Sequence, residues 1–154
     1  TNLGSFTIEL YWKHAPKACH NFFQLSKRGY YDGCTFHRLV KGFIIQGGDP
    51  TNSGKGGRSI YGENFDDDER ALVELKHSGA GIIAMANKGS KNTNASQFYI
   101  TLAPCPMLDG SHTIFGRIAT GMQTIKSISL VECERGTEKP KTPIVIYKSR
   151  VNDG

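Results

Sequence analysis

The sequence has no long apolar run, no paired cysteines and no cluster of basic residues. No apolar stretch approaches the roughly 20 residues of a membrane span, so no membrane segment is expected. The four cysteines form no CxxC pair and have no histidine at zinc-finger spacing, which argues against a structural zinc site or a thioredoxin-type redox site. They are expected to be buried thiols in a reducing compartment.

The start of the chain and its charge also exclude classes of protein. The first residues lack the basic start and apolar core of a secretory signal, so a cytoplasmic or nuclear location is expected. The net charge of +5 lies entirely in residues 1–60, which hold eight basic and three acidic groups. Because these basic residues are scattered singly, direct nucleic-acid binding is only a minor alternative.

The length and the hydrophobic pattern predict one mainly β domain. A chain of 154 residues fits a single domain, 1–154, and 38% hydrophobic residues are typical of a folded protein. Residues 3–11 alternate as in a half-buried strand, and short strand-like runs recur later: FHRLV, FIIQ, IIAMA, QFYITL, TIFGRI and IVIYKSRV. Helices are predicted from Pro16 to a stop at Gly29 and over residues 122–131. Short strands with two helices favour an all-β sandwich or a closed barrel.

Two long stretches, 47–70 and 86–96, lack periodicity, and loops of this length are usually functional or disordered. The acidic run at residues 66–69 lies in the first and is interpreted as solvated surface, because it lacks the spacing of a calcium loop. Three histidines are interpreted as surface or packing residues: His14, His20 and His77.

Functional groups concentrate in residues 36–49 and 97–112. Residues two apart in a strand share a face, which predicts three pairs: Phe36 with Arg38, Ile44 with Gln46, and Gln97 with Tyr99. A guanidinium and two carboxamides among apolar groups describe a small apolar pocket with hydrogen-bond donors on its wall. No general base or covalent nucleophile stands out in this set.

Five ordered blocks carry a resemblance to a known family: FHRLVKGFIIQGGDP, GGRSIYGENF, GIIAMAN, NTNASQFYITLA and LDGSHTIFGR. In these blocks the chain resembles the cyclophilins, the cyclosporin-binding peptidyl-prolyl cis-trans isomerases. The resemblance implies an eight-stranded antiparallel closed β-barrel capped by two α-helices, isomerase activity on X-Pro bonds, no metal or cofactor, and a monomer. Within the family the chain is most similar to small single-domain spliceosome-associated cyclophilins, through GGDPTNSGKGG and TLAP…LDGSHTIFGR.

The resemblance also implies the site residues. It places the family's essential arginine at Arg38, with His37 and Gln46 beside it. The proline-binding pocket falls on Phe43, Ile44, Tyr99, Leu108 and His112. Ala86 and Asn87 are expected to present backbone groups to the residues before the proline, and Gln97 to contact the substrate backbone.

Three of these positions depart from the commonest family pattern. Ile44 stands where Met is usual, Tyr99 where Phe is usual, and Met107 where many members have Trp. The buried Tyr99 hydroxyl needs a partner, because an unpaired one costs about 1–3 kcal/mol. Met107 lacks the indole N–H and the wide apolar face that contact cyclosporin in the family, so weak cyclosporin binding is expected.

Two functions of different classes follow from the sequence. The first is an isomerase of proline-containing peptides and proteins, which would assist folding or conformational switching. The second is a module that binds proline peptides or acts as a scaffold in a ribonucleoprotein, such as a spliceosomal assembly, with incidental catalysis. Retention of Arg38 and Gln46 favours the enzyme, whereas a partner that binds away from the pocket would favour the module.

Overall fold

The computed structural model describes residues 1–152 and contains one six-stranded antiparallel sheet. Its strands are β1 (Thr7–Leu10), β2 (Arg38–Val40), β3 (Ile44–Gly47), β4 (Ile82–Met85), β5 (Phe98–Thr101) and β6 (Ile114–Thr120). They lie in the order β1-β6-β4-β5-β3-β2. The mainly β class is confirmed, but the expectation of eight strands in a closed barrel is wrong, because the two edge strands β1 and β2 do not pair with each other.

The C-terminal segment 144–151 explains part of this difference. It was predicted as a strand, yet it forms only one ladder bridge, between Thr35 and Val145. Most of its other backbone hydrogen bonds run to the irregular segment before β2, as from the Phe36 N–H to the Ile144 carbonyl at 2.9 Å, and one runs from the Asn2 N–H to the Val145 carbonyl at 3.2 Å. These bonds satisfy backbone groups without extending the sheet.

Three α-helices lie within the described residues, where two were expected: α1 (Pro16–Lys27), α2 (Glu69–Glu74) and α3 (Met122–Ser129). Helix α1 has its proline in the first turn and is followed by Gly29 at a φ of 74°, as predicted. Helix α3 buries Ile125 and Ile128 and confirms the second predicted helix. No helix in residues 1–152 is long and apolar enough to cross a membrane.

The acidic run before α2 is partly buried, which contradicts its interpretation as solvated surface. Asp68 is 6% exposed, and its carboxylate accepts the backbone N–H groups of Lys17 at 3.2 Å and Ala18 at 3.0 Å. The residue that precedes α1, Ala15, has no capping side chain. Asp68 therefore caps α1 from a distant part of the chain, and burial raises the pKa of its carboxyl.

The two faces of the sheet carry different clusters. On one face Phe22 of α1 packs its ring against Tyr31, Phe98 and Phe115, with centroid distances of 5.1–5.3 Å. This main core also holds Cys19 and Cys34, and a smaller buried cluster contains Cys105, whereas Cys133 is only half-buried; all four are free thiols. The smaller cluster combines one side chain from each of β3, β4, β5 and β6 with Cys105 from the loop after β5: Ile44, Ala84, Tyr99, Ile114 and Cys105. The candidate site lies on this second face.

Candidate active site

Arg38 and two carboxamides form a chain of hydrogen bonds that runs from β2 across β3 to the residue before β5. Arg38 on β2 is paired in register with Gln46 on β3, and its Nη1 donates to Gln46 Oε1 at 3.2 Å. Gln46 Nε2 donates to Gln97 Oε1 at 3.0 Å. Gln97 Nε2 in turn donates to the carbonyls of Gly54 at 3.0 Å and Gly56 at 2.9 Å. This amide relay (Arg38, Gln46, Gln97) fixes which end of each carboxamide is the acceptor.

The glycine-rich loop at the end of the amide relay is organised by Asp49. Asp49 is fully buried, and its carboxylate accepts backbone N–H groups from Thr51 at 2.8 Å, Gly54 at 2.7 Å and Gly56 at 3.1 Å. Burial disfavours the charged form, but a hydrogen bond from the Thr51 hydroxyl at 2.7 Å, together with these backbone bonds, outweighs it and lowers the pKa of Asp49 to about 2. Sequence reasoning gave Asp49 no such role.

Glu138 holds the guanidinium from the other side. Arg38 Nε donates to Glu138 Oε1 at 2.9 Å, and the two side chains are 41% and 50% exposed. Two of the three guanidinium nitrogens thus have protein acceptors, while Nη2 has none within residues 1–152. Sequence reasoning missed Glu138, because it lies 100 residues from Arg38 and outside every recognisable block.

An apolar notch lies beside the amide relay. We use this name for Phe43, Ile44, Tyr99 and Leu108, which belong to the smaller cluster. Ile44 and Tyr99 are buried at 3% and 2% exposure and form its floor, while Phe43 and Leu108 are half-buried. Its apolar side chains suit a small apolar ring beside the hydrogen-bond donors of the amide relay.

The floor of the notch has a polar support that the sequence did not indicate. The Tyr99 hydroxyl lies 2.7 Å from His77 Nε2, and His77 Nδ1 lies 2.8 Å from Asp109 Oδ1. The Asp109 carboxylate only accepts, so Nδ1 carries the proton of the neutral ring and Nε2 accepts the Tyr99 O–H. Burial lowers the pKa of His77, which keeps the ring neutral, and burial raises the pKa of Tyr99.

The remaining candidate residues lie at the rim of the site or next to it. Ala86 donates its N–H to the Gln97 carbonyl at 3.1 Å, and Asn87 Nδ2 donates to the Ser111 carbonyl at 3.0 Å. His112 Nδ1 donates to the Met85 carbonyl at 2.9 Å, and its ring packs edge-on against Tyr99 at 5.4 Å.

Three residues that the sequence placed in the site belong to neither the amide relay nor the apolar notch. Met107 is 68% exposed and is not part of the apolar notch. His37 is half-buried, burial lowers its pKa, and its buried Nδ1 has no hydrogen-bond partner within residues 1–152. Phe36 does not share a face with Arg38, because the regular strand begins only at Arg38 and Phe36 turns into the main core against Phe98. The other two predicted pairs do share the face of the notch.

Comparisons with known proteins identify the family of this chain. Residues 1–151 match the family described as cyclophilin type peptidyl-prolyl cis-trans isomerase/CLD. The chain is 55% identical over 153 residues to peptidyl-prolyl cis-trans isomerase CYP18-2 of Arabidopsis thaliana, covering 99% of this chain and 91% of that protein. It is 59% identical over 134 residues to peptidyl-prolyl cis-trans isomerase-like 1 of Rhizopus delemar, covering 87% and 79% of the two chains.

Solved structures give the same result. A crystal structure of a cyclophilin type peptidyl-prolyl cis-trans isomerase from Cryptosporidium parvum superposes with a TM-score of 0.92 at 44% identity, covering 98% of this chain and 94% of that chain. A second structure of that protein, determined in the presence of the dipeptide Ala-Pro, matches with the same TM-score of 0.92 and covers 98% and 96%. The resemblance found in the sequence is therefore confirmed: this chain belongs to the cyclophilin-type family and is a peptidyl-prolyl cis-trans isomerase.

Proposed function

We propose that Arg38 is the catalytic residue of this isomerase and that the apolar notch holds the proline ring. An X-Pro bond prefers trans by only about 0.5–1 kcal/mol, but its partial double bond imposes a barrier of about 18–20 kcal/mol. As the bond twists, conjugation is lost and the proline nitrogen gains a lone pair that neither planar form has. A donor aimed at that nitrogen lowers the barrier without tightening ground-state binding.

The observation that carries this proposal is the hydrogen bonding of the guanidinium. Gln46 Oε1 and Glu138 Oε1 hold Nη1 and Nε, so Nη2, which has no acceptor within residues 1–152, can donate to the proline nitrogen. Because the amide relay and Glu138 fix the guanidinium before substrate arrives, little reorganisation is needed as the amide twists. The mechanism requires no metal, nucleotide or covalent intermediate.

The other site residues divide into contacts with the ring and contacts with the chain before it. The notch residues Phe43 and Leu108 flank the proline ring, with His112 at the rim. Because the Ala86 N–H is already donated to Gln97, Ala86 offers its carbonyl oxygen to the residues before the proline. The Ala-Pro dipeptide used with the Cryptosporidium parvum protein supports a ligand of this size. For Asn87 and His37 the roles implied by the resemblance stay predictions.

The test is turnover on a short proline peptide, measured by NMR exchange. Arg38→Ala is expected to lower the catalysed rate by about 10²–10³-fold, the usual loss when one electrostatic donor is removed. Arg38→Lys should not restore it, because an ammonium cannot bond Gln46 and Glu138 and still reach the proline nitrogen. Arg117→Ala is the matched control, since Arg117 also forms an exposed ion pair, with Glu9 on β1. Near-normal exchange in Arg38→Ala would refute the proposal.

We also propose weak cyclosporin binding, a cytoplasmic or nuclear location and association with spliceosomal proteins. The exposed Met107, which offers no indole N–H, supports the first. Similarity of the loop at residues 47–57 to spliceosome-associated cyclophilins supports the other two. A pull-down from nuclear extract tests the association. If wild type and Arg38→Ala capture the same spliceosomal proteins, the chain is a scaffold there independently of its catalysis; if neither captures any, the association is wrong.

A further inference from the structure

Glu138 is fixed beside Arg38 by its own backbone. It lies in a turn closed by the bridge between Cys133 and Pro140 and by the Glu134 N–H, which donates to the Lys139 carbonyl at 2.7 Å. The Glu138 carbonyl accepts the Leu39 N–H at 2.8 Å, along the outer edge of β2. The backbone of Glu138 is therefore fixed beside β2, which places its side chain next to Arg38.

The polar groups of the site form a row across the sheet. Ala86 and Gln97 lie at one end, followed by Gln46 on β3, Arg38 on β2 and, beyond the sheet edge, Glu138. In the function proposed above, the residues before the proline lie at the Ala86 end and the X-Pro bond lies at Arg38. The residues after the proline then leave the site on the side of Glu138.

A carboxylate oxygen is exposed at this exit. Glu138 Oε1 is engaged by Arg38, but Oε2 has no hydrogen-bond donor within residues 1–152, and the side chain is half-exposed. The Arg38–Glu138 pair carries no net charge, but Oε2 stays available to accept a hydrogen bond from a cationic side chain of the substrate. Two lysines of neighbouring segments have acceptors other than Glu138. Lys141 is paired with Glu132 at 2.8 Å, and Lys41 donates to the Ser129 carbonyl at 2.8 Å.

We infer that Glu138 is a specificity-determining residue, which favours substrates with a cationic side chain in the one or two positions after the proline and disfavours acidic ones. The inference rests on the proposed role of Arg38, which places the bond. An exposed opposite-charge contact of this kind changes kcat/KM by about two- to fivefold, and added salt weakens it.

The experiment compares three peptides that share an Ala-Pro core and carry Lys, Ala or Glu after the proline. Wild type is expected to show a Lys-to-Glu ratio in kcat/KM of about two to five at low salt. Glu138→Gln keeps an oxygen for Arg38 Nε but removes the charge, so the ratio should fall to about one, and Glu138→Lys should invert it. Glu132→Gln is the charge-matched control on the same segment, and its ratio should equal that of wild type.

The outcomes separate this inference from the function it rests on. A Lys-to-Glu ratio that is unchanged in Glu138→Gln overturns the inference. So does an equal loss of kcat/KM for all three peptides with unchanged ratios, because Glu138 would then only position Arg38. Normal turnover of the Ala peptide by Arg38→Ala would instead refute the proposed function itself.

Discussion

The tyrosine in the floor of the apolar notch gives a sharp test of how this site is built. Tyr99→Phe removes one hydroxyl and leaves the ring in place. The His77 side chain is fully buried, and without the Tyr99 hydroxyl its Nε2 has no hydrogen-bond donor within residues 1–152. The Nδ1–H of the same ring stays bonded to Asp109, so the ring cannot use its other tautomer to recover the loss.

The expected magnitude follows from the cost of one buried, unpaired polar atom, about 1–3 kcal/mol. For a domain of this size each kcal/mol shifts Tm by about 2–4 °C, so Tyr99→Phe should lower Tm by about 2–12 °C. The double variant Tyr99→Phe/His77→Phe removes both polar partners from the stacked pair, whose ring planes lie 15° apart. It should unfold within about 1.5 kcal/mol of wild type, because it replaces a buried polar pair by an apolar pair of similar volume.

The assay is urea unfolding of wild type, both single variants and the double variant, with peptide turnover measured on each protein. The double-mutant cycle should give a coupling energy of about 1–3 kcal/mol between Tyr99 and His77. Turnover of the double variant should stay close to that of wild type, because the shape of the notch is kept. Additive losses in the cycle, or a Tyr99→Phe variant as stable as wild type, would refute the reasoning.

Three further predictions concern other parts of the molecule. Asp68→Ala should lower the free energy of unfolding by about 1–3 kcal/mol, since the buried Ala18 N–H loses its acceptor, whereas the exposed neighbour Asp66→Ala should change it by less than about 0.5 kcal/mol in the same urea assay. Burial lowers the pKa of His77 in the folded protein, so the unfolded chain binds more protons below pH of about 6.5. The stability that depends on neutral His77 should therefore be full above that pH and be lost as the pH falls below it, so stability should fall less steeply in the Tyr99→Phe/His77→Phe variant; equal slopes in urea titrations would contradict this. Met107→Trp should raise cyclosporin affinity in calorimetry by about tenfold or more, and unchanged affinity would show that the exposed Met107 does not limit binding.

Local sequence patterns predicted the parts of the fold that are encoded locally. Helix α1 carries its own start and stop signals in Pro16 and Gly29, and α3 carries an apolar stripe, so both were found. Helix α2 has only six residues and begins after a buried aspartate that caps a different helix. Neither feature produces periodicity in the sequence, which is why the segment was interpreted as a loop with a solvated acidic run.

The prediction of a closed barrel was wrong for a related reason. The run IVIYKSRV has the composition of a strand, but strand formation depends on a partner edge, and here the partner is an irregular segment that allows only the bridge at Val145. The prediction that Phe36 and Arg38 share a face was also wrong, because side chains alternate between faces only where the backbone is extended without interruption.

The candidate site also contains residues that the sequence predicted and residues that it did not. Gln46 and Gln97 were predicted from motif blocks, and the structure joins them to Arg38 in one hydrogen-bond chain. Glu138 and His77 could not be predicted, because their importance comes from contacts across the fold and not from neighbours in the sequence.

The central claim is that Arg38 binds the twisted amide better than either planar form, and the most direct measurement takes affinity and exchange rate from one sample. A proline peptide titrated into Arg38→Ala, followed by NMR, gives both Kd and the catalysed cis-trans rate. The rate should be at least about 100-fold below that of wild type, while Kd should change by less than about fivefold. A rate and an affinity that fall together, or a rate that does not fall, would contradict it.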